Sequence, residues 1–230
     1  MKKLYQDSTF YLSIFIISYF IYIYPFEILN ELLFNEKPNR KSSLLSSLFI
    51  SILVIFYFRS KNTFTPLKYF IYEGMGIGFI SFVIINFFLI FNLFFDINDY
   101  VLAIISLISI FILSLIGYYY GNKIFIKKIN LKSDKIKVKS KFIFISDIHL
   151  GTNSINHLNK IINKLKFLEY DFILIGGDLL DSSSYELNEL SVLKQITKPI
   201  YFVTGNHEYY LKNYIEKLDT LKNFNIILLD

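Results

Sequence analysis

The chain has 230 residues, 53% of them hydrophobic and 19% aromatic, with a net charge of +5. It contains no Cys, which excludes a disulfide framework and any thiolate metal site, and its apolar content exceeds that of an average soluble domain and points to a membrane protein. The length suits one large or two small domains. Residues 1–120 carry 8 Lys/Arg against 7 Asp/Glu, whereas 121–230 carry 16 against 12 and all three His, so the halves are different materials.

The first half, 1–120, is predicted to be a transmembrane domain. Four apolar stretches, 10–29, 43–58, 69–95 and 100–120, have no Lys or Arg at their centres and approach the roughly 20 residues that cross a hydrocarbon core. The first is followed by Pro25-Phe26-Glu27 rather than a small-residue cleavage site, unlike a signal peptide. With four spans the N-terminus, the second loop and the whole C-terminal half share one side. Lys2, Lys3, Arg59, Lys61, Lys68 and eight Lys from Lys123 to Lys141 lie on that side, against Lys37, Arg40 and Lys41 on the other. The positive-inside bias then places the C-terminal half in the cytoplasm; a three-span count, without the short second stretch, would put the termini on opposite sides.

"GMGIG" (Gly74–Gly78) has the look of a phosphate loop but lacks the strand–loop–helix setting; close helix packing through Gly74 and Gly78 is the expectation. Glu73, Asn86 and Asn92 in or near the third span are polar groups of the kind that line a pathway or bond a neighbouring helix. After the last span, "KIKVKS" (Lys135–Ser140) alternates as an exposed edge strand does, and its lysines favour an anionic lipid surface. No platform of interleaved basic and aromatic residues is present, so no nucleic-acid partner is expected.

From Lys141 the pattern alternates. "KFIFIS", "DFILIGG", "IYFVTG" and "FNIILLD" read as strands, the second of the continuous apolar type expected when both faces are covered. Between them lie helical patterns: Ile155, Leu158, Ile161, Ile162, Leu165 and Leu168; then "YELNELSVLKQI" with Leu187, Leu190, Leu193 and Ile196; then Leu211, Tyr214, Ile215, Leu218 and Leu221. Such alternation predicts parallel strands with right-handed crossovers, and chemistry in such sheets collects at the carboxyl ends of the strands. The first strand ends in Asp147 and His149, the second in Gly176-Gly177-Asp178 with Asp181 beyond, the third in Gly205-Asn206-His207-Glu208. With strands about 5 Å apart, these side chains converge on a volume that holds two cations some 3.5–4 Å apart. Carboxylate, imidazole and amide oxygen suit Mn²⁺, Fe, Zn²⁺ or Mg²⁺.

"SDIHLG", "GGDLLDS" and "TGNHEYY" together resemble the motifs of the calcineurin-like metallophosphoesterases, in that family's order, and 121–230 resembles part of such a domain in a membrane-anchored bacterial member. The resemblance implies an α/β fold, here an incomplete β-sandwich flanked by helices behind the four-span helical bundle. It implies that Asp147 and His149 bind one of two divalent metal ions, that Asp178 bridges both, and that Asn206 binds the second. His207 would act on the phosphate as acid or charge stabiliser, with Asp181 orienting it. The expected reaction is hydrolysis of a phosphomonoester, phosphodiester or pyrophosphate, with phosphorylated substrates beside the bilayer, lipid-linked ones included. Glu208 fits the motif and is expected to cap or hold its loop; His157 matches no ligand position and reads as surface or structural. The family pattern continues with further His residues, and none follows His207. The expectation is that a continuation or a second chain supplies them, and that the 230-residue chain alone binds metal weakly and turns over little. The alternative is a non-catalytic membrane binding or regulatory protein that retains a remnant of the fold.

Overall fold

The computed structural model describes residues 2–59, 65–135, 137–181 and 187–229. Of the expected features, Lys61 in the second loop and Tyr185 and Glu186 at a helix start lie outside the described residues. The chain divides into two compact units, Met1–Lys123 and Ile124–Asp230.

In the first unit, α1 (Lys2–Ser18) passes through a π-helical turn (Tyr19–Ile23) into α2 (Tyr24–Phe34), followed by α3 (Arg40–Arg59), α4 (Thr65–Phe95) and α5 (Asp99–Gly121). Four helical spans, Ser8–Phe34, Arg40–Arg59, Pro66–Phe95 and Asp99–Gly121, are long and apolar enough to cross a membrane. The shortest has 20 residues, which at 1.5 Å rise is about 30 Å, the thickness of the hydrocarbon core. The π-turn has a local cause. Pro25 has no N–H to return to the Ile21 carbonyl, and the Tyr24 N–H instead reaches back to Tyr19. The Ile21 carbonyl faces Gly78, where an added methyl would lie 2.2 Å from it; at Gly74 an added methyl would lie 2.7 Å from the Tyr22 ring. The two glycines therefore serve close helix packing, with the Tyr22 hydroxyl donating to the Ile71 carbonyl at 2.7 Å. Asn86 bonds its neighbours: its Nδ2 donates to Phe82 O at 2.7 Å, and its Oδ1 accepts from the Tyr24 hydroxyl at 3.0 Å.

The second unit alternates β1 (Phe142–Ile145), α6 (Ile155–Leu165), β2 (Phe172–Gly176), a 3-10 helix (Leu187–Gln195), β3 (Ile200–Val203), a short 3-10 turn (Glu208–Tyr210), α7 (Tyr214–Leu221) and β4 (Ile226–Leu228). The sheet is parallel, in the order β1-β2-β3-β4. Strands added in sequence through crossovers of one hand carry all their connections on one face. The core accordingly lies on that face: Ile173, Ile175, Ile200, Phe202 and Ile226 are buried among Leu158, Ile162, Leu165, Leu190, Leu193, Leu218 and Leu221. Phe142, Phe144, Val203 and Ile227 on the other face are exposed. This corrects the expectation that β2 is covered on both faces: in this unit its side chains alternate between partly buried and buried.

Two further expectations change, and one element is defined more closely. The segment 123–141 contains no strand among its described residues. The ladder ends at β1, where the Lys141 N–H turns to the Asp171 carboxylate at 2.8 Å and the lysines stay in water. The expected helix at Leu187–Gln195 is of the 3-10 type, and Leu190, Leu193 and Ile196, spaced by three, bury along one face as three residues per turn requires. The last helical stripe is shorter than expected. Asn213, in a left-handed conformation, starts α7 at Tyr214, so Leu211 packs from outside the helix and Ile215, one step off the stripe, is 69% exposed.

Candidate metal centre

Each expected site residue follows a strand. After β1, the chain leaves the regular ladder, yet its backbone keeps bonding to the segment that follows β2. The Asp147 N–H donates to Gly177 O at 3.2 Å, His149 N–H to Asp178 O at 2.9 Å, and Leu150 N–H to Leu179 O at 2.8 Å. Asp181 N–H donates back to Leu150 O at 3.0 Å. These bonds hold three non-glycine residues in left-handed backbone: Asp147 (φ 58°), His149 (φ 52°) and Asp178 (φ 53°). A conformation that costs an L-residue about 1–2 kcal/mol persists at three chemically active positions, a pattern that accompanies functional sites.

The donor atoms converge. One group, Asp147, His149 and Asp178, and a second, His149, Asp181 and His207, each bring their ligand atoms within 4.8 Å of one another. His149 Nε2 lies 3.8 Å from Asp147 Oδ1, and His149 Nδ1 lies 3.5 Å from Asp181 Oδ2. The His207 Nδ1 is hydrogen-bonded to Asp181 Oδ1, and the two imidazoles meet edge to face at 4.6 Å. The His207 backbone N–H donates to Asp178 Oδ1 at 3.1 Å, which ties the β3 loop to the β2 loop. Asn206 is exposed on that loop, one residue before His207. His157 lies apart from both groups, on α6.

Asp181 shows how the electrostatics resolve. Burial pushes its carboxyl upward, but hydrogen bonds from Thr152 and His207 and the imidazoles of His207 and His149 outweigh burial and hold it below the usual carboxylate range. The carboxylate is thus kept charged against His207.

The residues fit a divalent cation. His149 Nδ1 is buried without a hydrogen-bond partner, a state that native structures reserve for groups with a ligand or a function. Donors about 2.2 Å from one ion stand at most about 4.4 Å apart, close to the spread found here. The donor set of carboxylates and imidazole is the one that borderline and hard divalent ions prefer.

Glu208 has a larger part than its motif position indicates. It is fully buried, and its carboxylate accepts the backbone N–H groups of Asp178 (3.1 Å), Leu180 (2.8 Å) and Gly205 (2.7 Å). The available sequence signal was an acid placed directly after Gly-Asn-His, between two strand ends that themselves expose N–H groups.

Residues 140–229 match the family model of the calcineurin-like phosphoesterases. All the candidate ligands fall inside that segment. An uncharacterized metallophosphoesterase of Campylobacter jejuni is 35% identical over 89 residues, 37% of this chain and 24% of that protein. One of Helicobacter pylori is 32% identical over 124 residues, 48% of this chain and 33% of its own length. A transmembrane protein with metallophosphoesterase domain of Bos taurus is 35% identical over 96 residues, covering 37% of this chain and 20% of that protein. The chain thus spans about a third or less of the curated relatives it matches. No solved structure matches it.

Proposed function

We propose that the protein is a membrane-anchored, metal-dependent phosphoesterase. The observation that carries this is the convergence of Asp147, His149 and Asp178, with donor atoms within 4.8 Å, at the carboxyl ends of adjacent strands in a segment matching the calcineurin-like phosphoesterases. Asp147, His149 and Asp178, with the amide oxygen of Asn206, would hold divalent cations. Bound divalent ions supply positive charge that polarises a phosphoryl group and its attacking water. His207 then faces the phosphoryl oxygens or the leaving group, donating a hydrogen bond or a proton through Nε2 while Asp181 fixes the ring through Nδ1. The four apolar helices anchor this unit to the bilayer on the cytoplasmic side, within reach of phosphorylated substrates, lipid-linked ones included.

The test is hydrolysis of an aryl phosphodiester with added Mn²⁺, in nanodiscs, on the chain with the further His residues of the family pattern supplied by a continuation or a second chain, beside Asp178→Asn. Removal of the shared carboxylate is expected to lower kcat/KM at least about 100-fold, in line with the loss of metal-centred charge stabilisation. Equal rates for the two proteins, or Mn²⁺-independent rates, would overturn the assignment.

A further inference from the structure

We propose that Glu208 is the positioning residue of this centre: its buried carboxylate sets the spacing between the two loops that carry the ligands, and through that spacing the affinity for the cation. The inference rests on the metal-binding reading above. It starts from a carboxylate with no solvent exposure, a placement that is costly unless the group is hydrogen-bonded. Here the donors are all main-chain and come from both loops. Oε2 takes Asp178 N–H at 3.1 Å from the β2 side and Gly205 N–H at 2.7 Å from the β3 side, while Oε1 takes Leu180 N–H at 2.8 Å. One oxygen therefore bridges the two loops, and the other secures the backbone two residues beyond Asp178.

The closeness of that bridge is visible at the glycines. An added methyl at Gly205 would lie 2.1 Å from Asp178 Oδ1 and 2.7 Å from its backbone nitrogen, and one at Gly177 (φ +89°) would lie 2.8 Å from the Gly205 Cα. The loops touch backbone to backbone, and Asp178, held in left-handed conformation, has its N–H fixed by Glu208 and its Oδ1 by the His207 N–H. Charge-assisted bonds of this kind are about twice as strong as neutral ones. Glu208 reaches none of the expected donor side chains; it acts through the main chain that aims them.

The experiment uses the full chain in nanodiscs, wild type and Glu208→Gln, with Glu208→Asp as a second variant. Mn²⁺ binding is read from the loss of the free-ion electron paramagnetic resonance signal, and amide hydrogen exchange is measured without metal. Gln keeps the volume and one acceptor. With its carbonyl on the Asp178–Gly205 pair it turns an –NH₂ toward the Leu180 N–H, so faster exchange confined to Asp178, Leu180 and Gly205 is expected. A 10–100-fold weaker Mn²⁺ affinity should accompany it, the usual effect of removing a group that orients a ligand. Asp keeps the charge but is one methylene short, and a loss of affinity at least as large identifies reach rather than charge as the cause. Unchanged affinity in Gln overturns the proposal, as does exchange that rises across all four strands together, the mark of a merely structural residue. If the wild type takes up no Mn²⁺ while the exchange change stays local, the metal reading and its coupling to Glu208 fall and the clamp alone stands.

Discussion

At the residue scale, the centre is assembled by backbone as much as by side chains. Asp147, His149 and Asp178 all sit at positive φ, and each is locked there by main-chain bonds to the neighbouring loop that compensate the local cost. The places of the candidate residues at strand ends were legible in the sequence because an apolar strand that stops at Asp-x-His announces a working tip. That Glu208 holds its own loop was also legible; that it ties in the β2 loop was not, because its partners there are N–H groups, which leave no side-chain pattern to read. His157 offers a separate, pH-dependent test. Half-buried on α6, its imidazole is lowered below the ordinary value by burial and by Lys160. The folded state therefore binds fewer protons there than the unfolded chain, so stability rises with pH. Its contribution is complete above the unfolded value of about 6.5 and is lost as pH falls through the lower folded value. His157→Gln is expected to flatten the pH dependence of the unfolding midpoint in that acid window, followed by tyrosine fluorescence; an unchanged profile would show that His157 is not its source.

At the element scale, hydrophobic period located the elements and local chemistry altered their form. The α6 stripe places Leu158, Ile161, Ile162 and Leu165 in the core, at the spacing that predicted it. The helix at Leu187–Gln195 was legible as a helix but not by type, because a spacing of three fits α and 3-10 alike over so short a run; the structure makes it 3-10. In the first unit the four apolar stretches were plain from composition, but neither the π-turn at Tyr19–Ile23, which follows from the missing Pro25 N–H, nor its pairing with α4 is contained in periodicity. That pairing predicts a contrast between two glycines on α4. Gly78→Ala places its methyl against the Ile21 carbonyl, whereas at Gly76 nothing lies within 4 Å. The first substitution should destabilise the helical unit by about 1–3 kcal/mol, as overpacking does. The second should be neutral or stabilise slightly, since Ala exceeds Gly in helix propensity by about 1 kcal/mol. Thermal unfolding in detergent separates them, and equal midpoints would refute the close approach.

At the scale of the whole molecule, the sheet order explains why half of its apolar side chains are outside the core of the described unit. Four parallel strands in sequence order, with crossovers of one hand, cover one face, and the sequence showed apolar strands without showing which face the helices would take. The orientation across the membrane rests on Lys and Arg alone, and it is open to direct measurement because the chain has no Cys to mask an engineered one. Lys37, exposed between α2 and α3, and Asn130, exposed after α5, fall on opposite sides in a four-span protein, since three further spans separate them. With the C-terminal unit in the cytoplasm, a membrane-impermeant maleimide added to intact spheroplasts is expected to label Lys37→Cys and spare Asn130→Cys, and to label both after lysis. The reverse pattern would place the C-terminal unit outside the cell. Labelling of both residues, or of neither, in sealed spheroplasts would break the four-span count, because an odd number of crossings must separate them.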